Sequence, residues 1–228
     1  MNNIAETIST WPIHDCWSIS PGTKWCAQGN RIRLGANVQI NGVVKFGDSV
    51  IIGNNVRIFD GTQLGFGVRI GDKTTIGNDV SIGDCAWIEE RAQIEHDVWI
   101  GGNVQIQKNV HIKNNTLIED NVHIGEGTRI GAHGAIESDA FIGKGSLIGP
   151  RCTRVLYLGR GPRDYPLLIV LQDGVPKFGA GCRWFTIEEA RQHWGPTYTG
   201  DGDTAVMQAM ITVGENIAKE WMKQGASG

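Results

Sequence analysis

The chain has no apolar run near the length that spans a bilayer, no cluster of lysines and arginines, and no CxxC pair. The first absence removes a membrane route by helices. The second argues against nucleic acid as the main partner, because phosphate binding needs concentrated positive charge and the formal net charge here is −3. The five cysteines, Cys16, Cys26, Cys85, Cys152 and Cys182, are odd in number and scattered. That pattern fits a reduced protein, and the first residues lack the basic and apolar regions of a secretory signal, so a cytoplasmic location is expected. Histidines are few; His14, His133 and His193 have no neighbour in sequence that suggests a partner.

What the chain does have is a strict period. From Leu34 to Ile148 every sixth residue is large and apolar, as in Leu34, Ile40, Phe46, Ile52, Ile58, Leu64 and Ile70, and on through Ile136, Ile142 and Ile148. Two residues before each stands a smaller one, such as Val38, Val44, Val50, Thr62 or Thr74. No helix has a six-residue period, whereas two inward residues two apart are the alternation of a short strand. The remaining residues, rich in Gly, Asn and Asp, must turn the chain. Three hexads close a triangular coil, and eighteen residues bring the chain back to its starting column about 4.8 Å higher.

This run resembles the hexapeptide-repeat family, and the resemblance implies a left-handed parallel β-helix, an exception to the usual right-handed crossover. The expected fold is therefore mainly β, with residues 31–150 forming the β-helix. Residues 1–30, with Trp11, Trp17, Trp25, Pro12 and Pro21, form an irregular cap on its open end, which would otherwise bare core and strand edges. Residues 151–228 form a small α+β appendage of no recognised family. There, 154–158 reads as a strand and Asp173-Gly174 as a hairpin turn. Thr186 with Glu189 forms a capping box for a helix over 187–194. A last helix over 204–223 carries an apolar stripe of Val206, Met210, Val213, Ile217 and Trp221, suited to docking on the body of the protein or on the same helix of a neighbouring subunit.

The most specific short signal is Ile94-Glu95-His96-Asp97-Val98-Trp99-Ile100-Gly101. It is similar to the hexad of acyltransferases acting on nucleotide sugars, in which a corner His is followed by Asp, Glu or Asn. The resemblance implies that His96 is a general base, that Asp97 orients it, and that the backbone N–H one coil later, at Asn114, is the oxyanion donor. Imidazole suits this work because it exchanges a proton near neutral pH. Two departures stand out. Asn114 replaces the usual Gly, and Gln105 stands where one group of relatives carries a second His. The family's external loops are also missing. A simpler reading of His96 stays open, since Asp60, Asn78 and Asn114 share its column and such residues accept positive φ.

Residues just before each large apolar one point outward. One face reads Arg33, Ile51, Arg69, Trp87, Gln105, His123 and Phe141, and another Lys45, Gln63, Ser81, Trp99, Leu117 and Ala135. Such a patch asks for cover, and the family implies a homotrimer with clefts between subunits. Trp87, Trp99 and Gln105 are then interface or donor-cleft residues. His111 and His123 also point outward, on different faces; two His near a subunit boundary invite a zinc reading, but the His-x-x-x-x-His pattern of the carbonic anhydrases built on a similar helix is missing, so they read as surface or interface histidines and no metal is expected. The expectation is an acyltransferase moving an acyl group, with acetyl-CoA as the favoured donor, to the amine or hydroxyl of a small-molecule acceptor, a sugar or nucleotide-sugar. The alternatives are a silent binding module for a nucleotide-like ligand and an assembly protein.

Overall fold

A computed structural model describes residues 18–19, 24–27, 31–162, 164–181, 183–195 and 204–225. Short strands recur at every hexad from Arg33–Leu34 to Leu147–Ile148, all of two residues except the four-residue Val43–Phe46, and each pairs in parallel with the strand eighteen residues away. They stack into three sheets of eight, seven and seven strands. Face A carries Gln93–Ile94 and His111–Ile112, face B Trp99–Ile100, and face C Trp87–Ile88 and Gln105–Ile106. The second residue of each pair fills the prism: Ile58, Ile76, Ile88, Ile100, Ile106 and Ile112 are fully buried. The smaller residue two before it is buried too. Where that residue is Thr or Ser, its hydroxyl finds a carbonyl, as Thr74 Oγ1 does at Glu89 (3.1 Å) and Thr116 Oγ1 at Lys113 (2.7 Å). Buried polar groups therefore cost little here.

Strands Ser18–Ile19 and Lys24–Ala27 lie in the segment expected to be an irregular cap. They add one strand each to faces A and B, pairing with Gln39–Ile40 and Val43–Phe46. Their offsets are 21 residues (Ser18 with Gln39) and 19 (Lys24 with Val43) rather than 18, so the hexad count misses them. Trp11, Trp17, Pro12, Pro21, Cys16, Cys182 and His14 lie outside the described residues.

At the other end the appendage closes the prism. Strands Cys152–Arg160, Pro166–Gln172, Val175–Ala180 and Arg183–Thr186 form an antiparallel sheet in sequence order. Cys152, Val155, Leu168 and Val170 continue the β-helix core, while Leu167 and Phe178 face the two helices. The central strand, buried from Pro166 to Leu171, explains its unbroken apolar run. Asp173 and Gly174 both have positive φ (50° and 75°), as a two-residue hairpin turn requires. Helix α1, Ile187–His193, begins with the capping box.

Helix α2, Thr204–Gly225, docks on the body by a stripe that sequence did not select. Met207, Ile211, Gly214 and Ala218 are buried, while Val206 and Val213 are exposed (46% and 48%). The cause is local. The sheet approaches closely at Gly214, against Leu158 and Ile169, and a pattern that weighs only large apolar residues gives a glycine and an alanine no part in the docked face.

Candidate functional site

His96 stands at the edge between faces A and B, where the chain turns from Ile94 to Trp99. Its Nδ1–H donates to Asp97 Oδ2 at 2.7 Å, and both side chains are about half exposed. With a carboxylate on Nδ1, the proton sits there and Nε2 keeps its lone pair for a substrate proton. Positive φ does not explain His96. The residue with positive φ at this edge is the next one along, as in Asp79 (53°), Asp97 (55°), Asn115 (55°) and His133 (56°). That corrects the corner-residue reading: backbone conformation accounts for an Asp at 97, not for a His at 96.

An open groove of about 420 Å³ runs beside His96, lined by Phe59, Thr75, Asn78, Gln93, Glu95 and His111 among others. Gly77 lines it as well, for a steric reason: a Cβ there would lie 2.7 Å from the Glu95 carbonyl carbon and 2.8 Å from His96 N. Glu95 forms a second carboxylate–imidazole pair, its Oε1 2.8 Å from His111 Nε2. Its other oxygen accepts the backbone N–H of Asn114 at 3.3 Å. Sequence reading missed Glu95. The signal was in the register: residue 114 lies nineteen positions on, and other edges show the same link.

The structure brings His96, Asp97 and Asn114 to one edge and places Trp99 at the start of the adjoining face B. Trp87 and Gln105 pair side by side on face C, which does not border the edge that carries His96. Trp87 and Trp99 are exposed (47% and 44%). On face C, His123 stacks on Phe141 with ring centres 4.9 Å apart. Among the described residues no group of three or more His, Cys, Asp or Glu side chains could hold a metal ion.

Residues 97–132 match the family model described as bacterial transferase hexapeptide (six repeats), and the uninterrupted eighteen-residue register extends that pattern on both sides. Over those residues the chain is similar to the hexapeptide-repeat proteins. Its prism is the left-handed β-helix of that fold. A comparison with curated proteins finds no match. Among solved structures, the UDP-N-acetylglucosamine O-acyltransferase of Moraxella catarrhalis is 19% identical, covering 63% of this chain and 70% of that one, with a TM-score of 0.45. The UDP-N-acetylglucosamine acyltransferase of Francisella novicida is 24% identical over 61% of this chain and 65% of that one, TM-score 0.27. The Bacteroides fragilis enzyme of the same name is 15% identical over 88% and 90%, TM-score 0.32.

Proposed function

We propose that this chain is an acyltransferase, with His96 as its general base. The observation that carries the reading is the His96–Asp97 pair, oriented and half exposed on the wall of a groove. The acceptor's amine or hydroxyl attacks the thioester carbon while His96 Nε2 takes its proton. Collapse of the tetrahedral adduct breaks the C–S bond, and the imidazolium returns the proton to the departing thiolate. Asp97 holds the ring and stabilises its charged form. The donor is acetyl-CoA or another acyl thioester, and the acceptor a sugar or nucleotide-sugar, for which Thr75, Asn78 and Gln93 supply polar contacts. No metal enters this scheme.

Trp87 and Gln105 serve the site only if a neighbouring copy supplies its face C to the edge bearing His96. A cyclic trimer does this and covers the exposed aromatic residues of faces B and C. Trp99 then lines the donor cleft. A cytoplasmic setting belongs to the same proposal; among the described residues no helix is long and apolar enough to cross a membrane. The second reading, a silent binding module, draws on Glu95, whose carboxylate already holds the Asn114 N–H expected to serve the oxyanion.

The test is thiol release from acetyl-CoA with a panel of amino sugars and nucleotide-sugars. His96→Ala should lower turnover by about 10² to 10⁴, the usual span for loss of a general base, with fold and solution mass unchanged. A wild-type chain that consumes no thioester, or a His96→Ala variant that only melts earlier, would favour the binding module.

A further inference from the structure

Helix α2 is apolar on two sides, and the body takes up one of them. Met207, Ile211, Gly214 and Ala218 are buried there. To one side of that face stand Gln208, Thr212 and Glu215, which α1 engages: Arg191 donates to Thr212 Oγ1 (3.3 Å) and to the Glu215 carboxylate, and Gln208 Nε2 donates to the Trp194 carbonyl (2.8 Å). To the other side stand Val206, Met210, Val213 and Ile217, spaced four, three and four residues and so aligned on one flank of the helix. Val206 and Val213 are exposed, and Met210 and Ile217 are half-buried.

This flank stands over one particular face of the prism. A Cβ on Gly159 would lie 3.6 Å from Met210 Cε, and Gly159 belongs to strand Cys152–Arg160, the edge of the sheet opposite the strand that leads into α1. On the same strand Tyr157 meets Phe141, with ring centres 5.4 Å apart. Phe141 ends the outward column of face C that holds Trp87, Gln105 and His123. The apolar surface of face C therefore continues through Tyr157 to Met210 and the exposed valines of α2.

We infer that this flank of α2 packs against a second copy of the chain, carrying beyond the prism the contact a neighbour makes with face C; the inference rests on the trimer of the proposed function. Charge favours a like copy over other occupants. Residues 204–214 hold no charged side chain, so the flank offers nothing to steer an acidic or basic partner. A helix that lies on a lipid surface carries a basic polar face, but Lys219 and Lys223 of α2 are paired with Glu215 and Glu220 (2.7 and 2.6 Å). In a closed ring the neighbour on face C already lies alongside the flank, so covering it needs no further partner. The appendage then ties the ends of the prisms together, outside the clefts that hold His96.

Subunit exchange tests this. Isotope-labelled and unlabelled protein are mixed, and the appearance of mixed trimers is followed by native mass spectrometry. Val213→Glu puts a charge on the flank, whereas Asn216→Glu puts the same charge on exposed surface of α2 beside it. Exchange should be about tenfold or more faster in Val213→Glu than in Asn216→Glu, because a carboxylate held in an apolar contact loses its water without gaining a partner. Far-ultraviolet circular dichroism should show both variants folded as the wild type is; if Val213→Glu does not fold, Val206→Glu makes the same comparison from the start of the helix. Equal exchange rates would overturn the contact and leave the trimer and the acyltransferase reading in place. So would wild-type protein that sediments with phosphatidylglycerol vesicles and is released from them by Val213→Glu, which would give the flank to a membrane. A wild-type chain with the mass of one copy at every concentration overturns the trimer and this contact together.

Discussion

Ile100 sits midway along the stack, fully buried, with Ile82 beneath it and Ile118 above on the same face. Replacing it with Ala removes three carbons from a column that cannot collapse, because the hydrogen-bonded coils on either side fix the strand spacing. At about 0.8 kcal/mol per buried methylene the transfer loss is about 2.4 kcal/mol. The unfilled space adds to it, for a total of about 3–4 kcal/mol. Ile100→Val should cost about 1 kcal/mol. Because Ile82 and Ile100 are direct register partners, Ile82→Ala/Ile100→Ala merges two voids, and its loss should depart from the sum of the single losses by more than about 0.5 kcal/mol. Urea unfolding followed by far-ultraviolet circular dichroism measures all three. A loss under about 1 kcal/mol for Ile100→Ala would show that the prism relaxes around a void, and would refute the rigid-column argument.

The docking face of α2 is checked by Ile211→Ala, expected to cost about 2–4 kcal/mol, against Val213→Ala, expected within about 0.5 kcal/mol; the reverse order would restore the stripe chosen from sequence. Iodoacetamide at pH 8 followed by peptide mass spectrometry should label the exposed Cys85 and spare Cys152, whose thiol burial pushes up to about 11. Acid should loosen the two helices. Hydrogen bonds from the Thr186 backbone and side chain hold Glu189 below the usual carboxylate range, and those from Lys219 and Arg191 do the same for Glu215. A lowered folded pKa gives stability that is full above the unfolded value near 4.3 and is lost as pH falls through the folded one. Amide protection factors in 187–193 and 204–225, taken against the intrinsic exchange rate at each pH, should therefore fall below about pH 4, and unchanged protection at pH 3 would count against those contacts.

The β-helix was legible because its period is covalent. Six residues per strand and turn fix which side chains enter the prism, so the inward column and the outward residues at 87, 99, 111 and 123 follow from counting alone. The Asp173-Gly174 hairpin and the Thr186–Glu189 box were legible for a similar reason, each being decided within four residues. Ser18–Ile19 and Lys24–Ala27 were hidden because their pairing offsets are not multiples of six. The docked face of α2 was hidden because it depends on how closely a distant sheet approaches Gly214, and a hydrophobic stripe does not report that. At the site, His96 and Asp97 could be read as a motif, but Glu95 gains its role only when one coil is laid on the next.

A solenoid makes every edge a ladder of near-identical turns, and some of its outward amides are met by a side chain of an adjacent coil rather than left to water. Asp72 accepts the Asn54 N–H and Asp120 the Gly102 N–H, while Glu119 Oε2 accepts both the backbone N–H and the hydroxyl of Ser138 (3.0 and 2.8 Å). Such a cap is worth about 1 kcal/mol on the scale of an ordinary hydrogen bond. Glu119→Ala should therefore lower stability by about that amount without disturbing the stacked strands, since no core side chain changes. Thermal melting decides it, and a variant as stable as the wild type would show that water serves these amides as well as a carboxylate does.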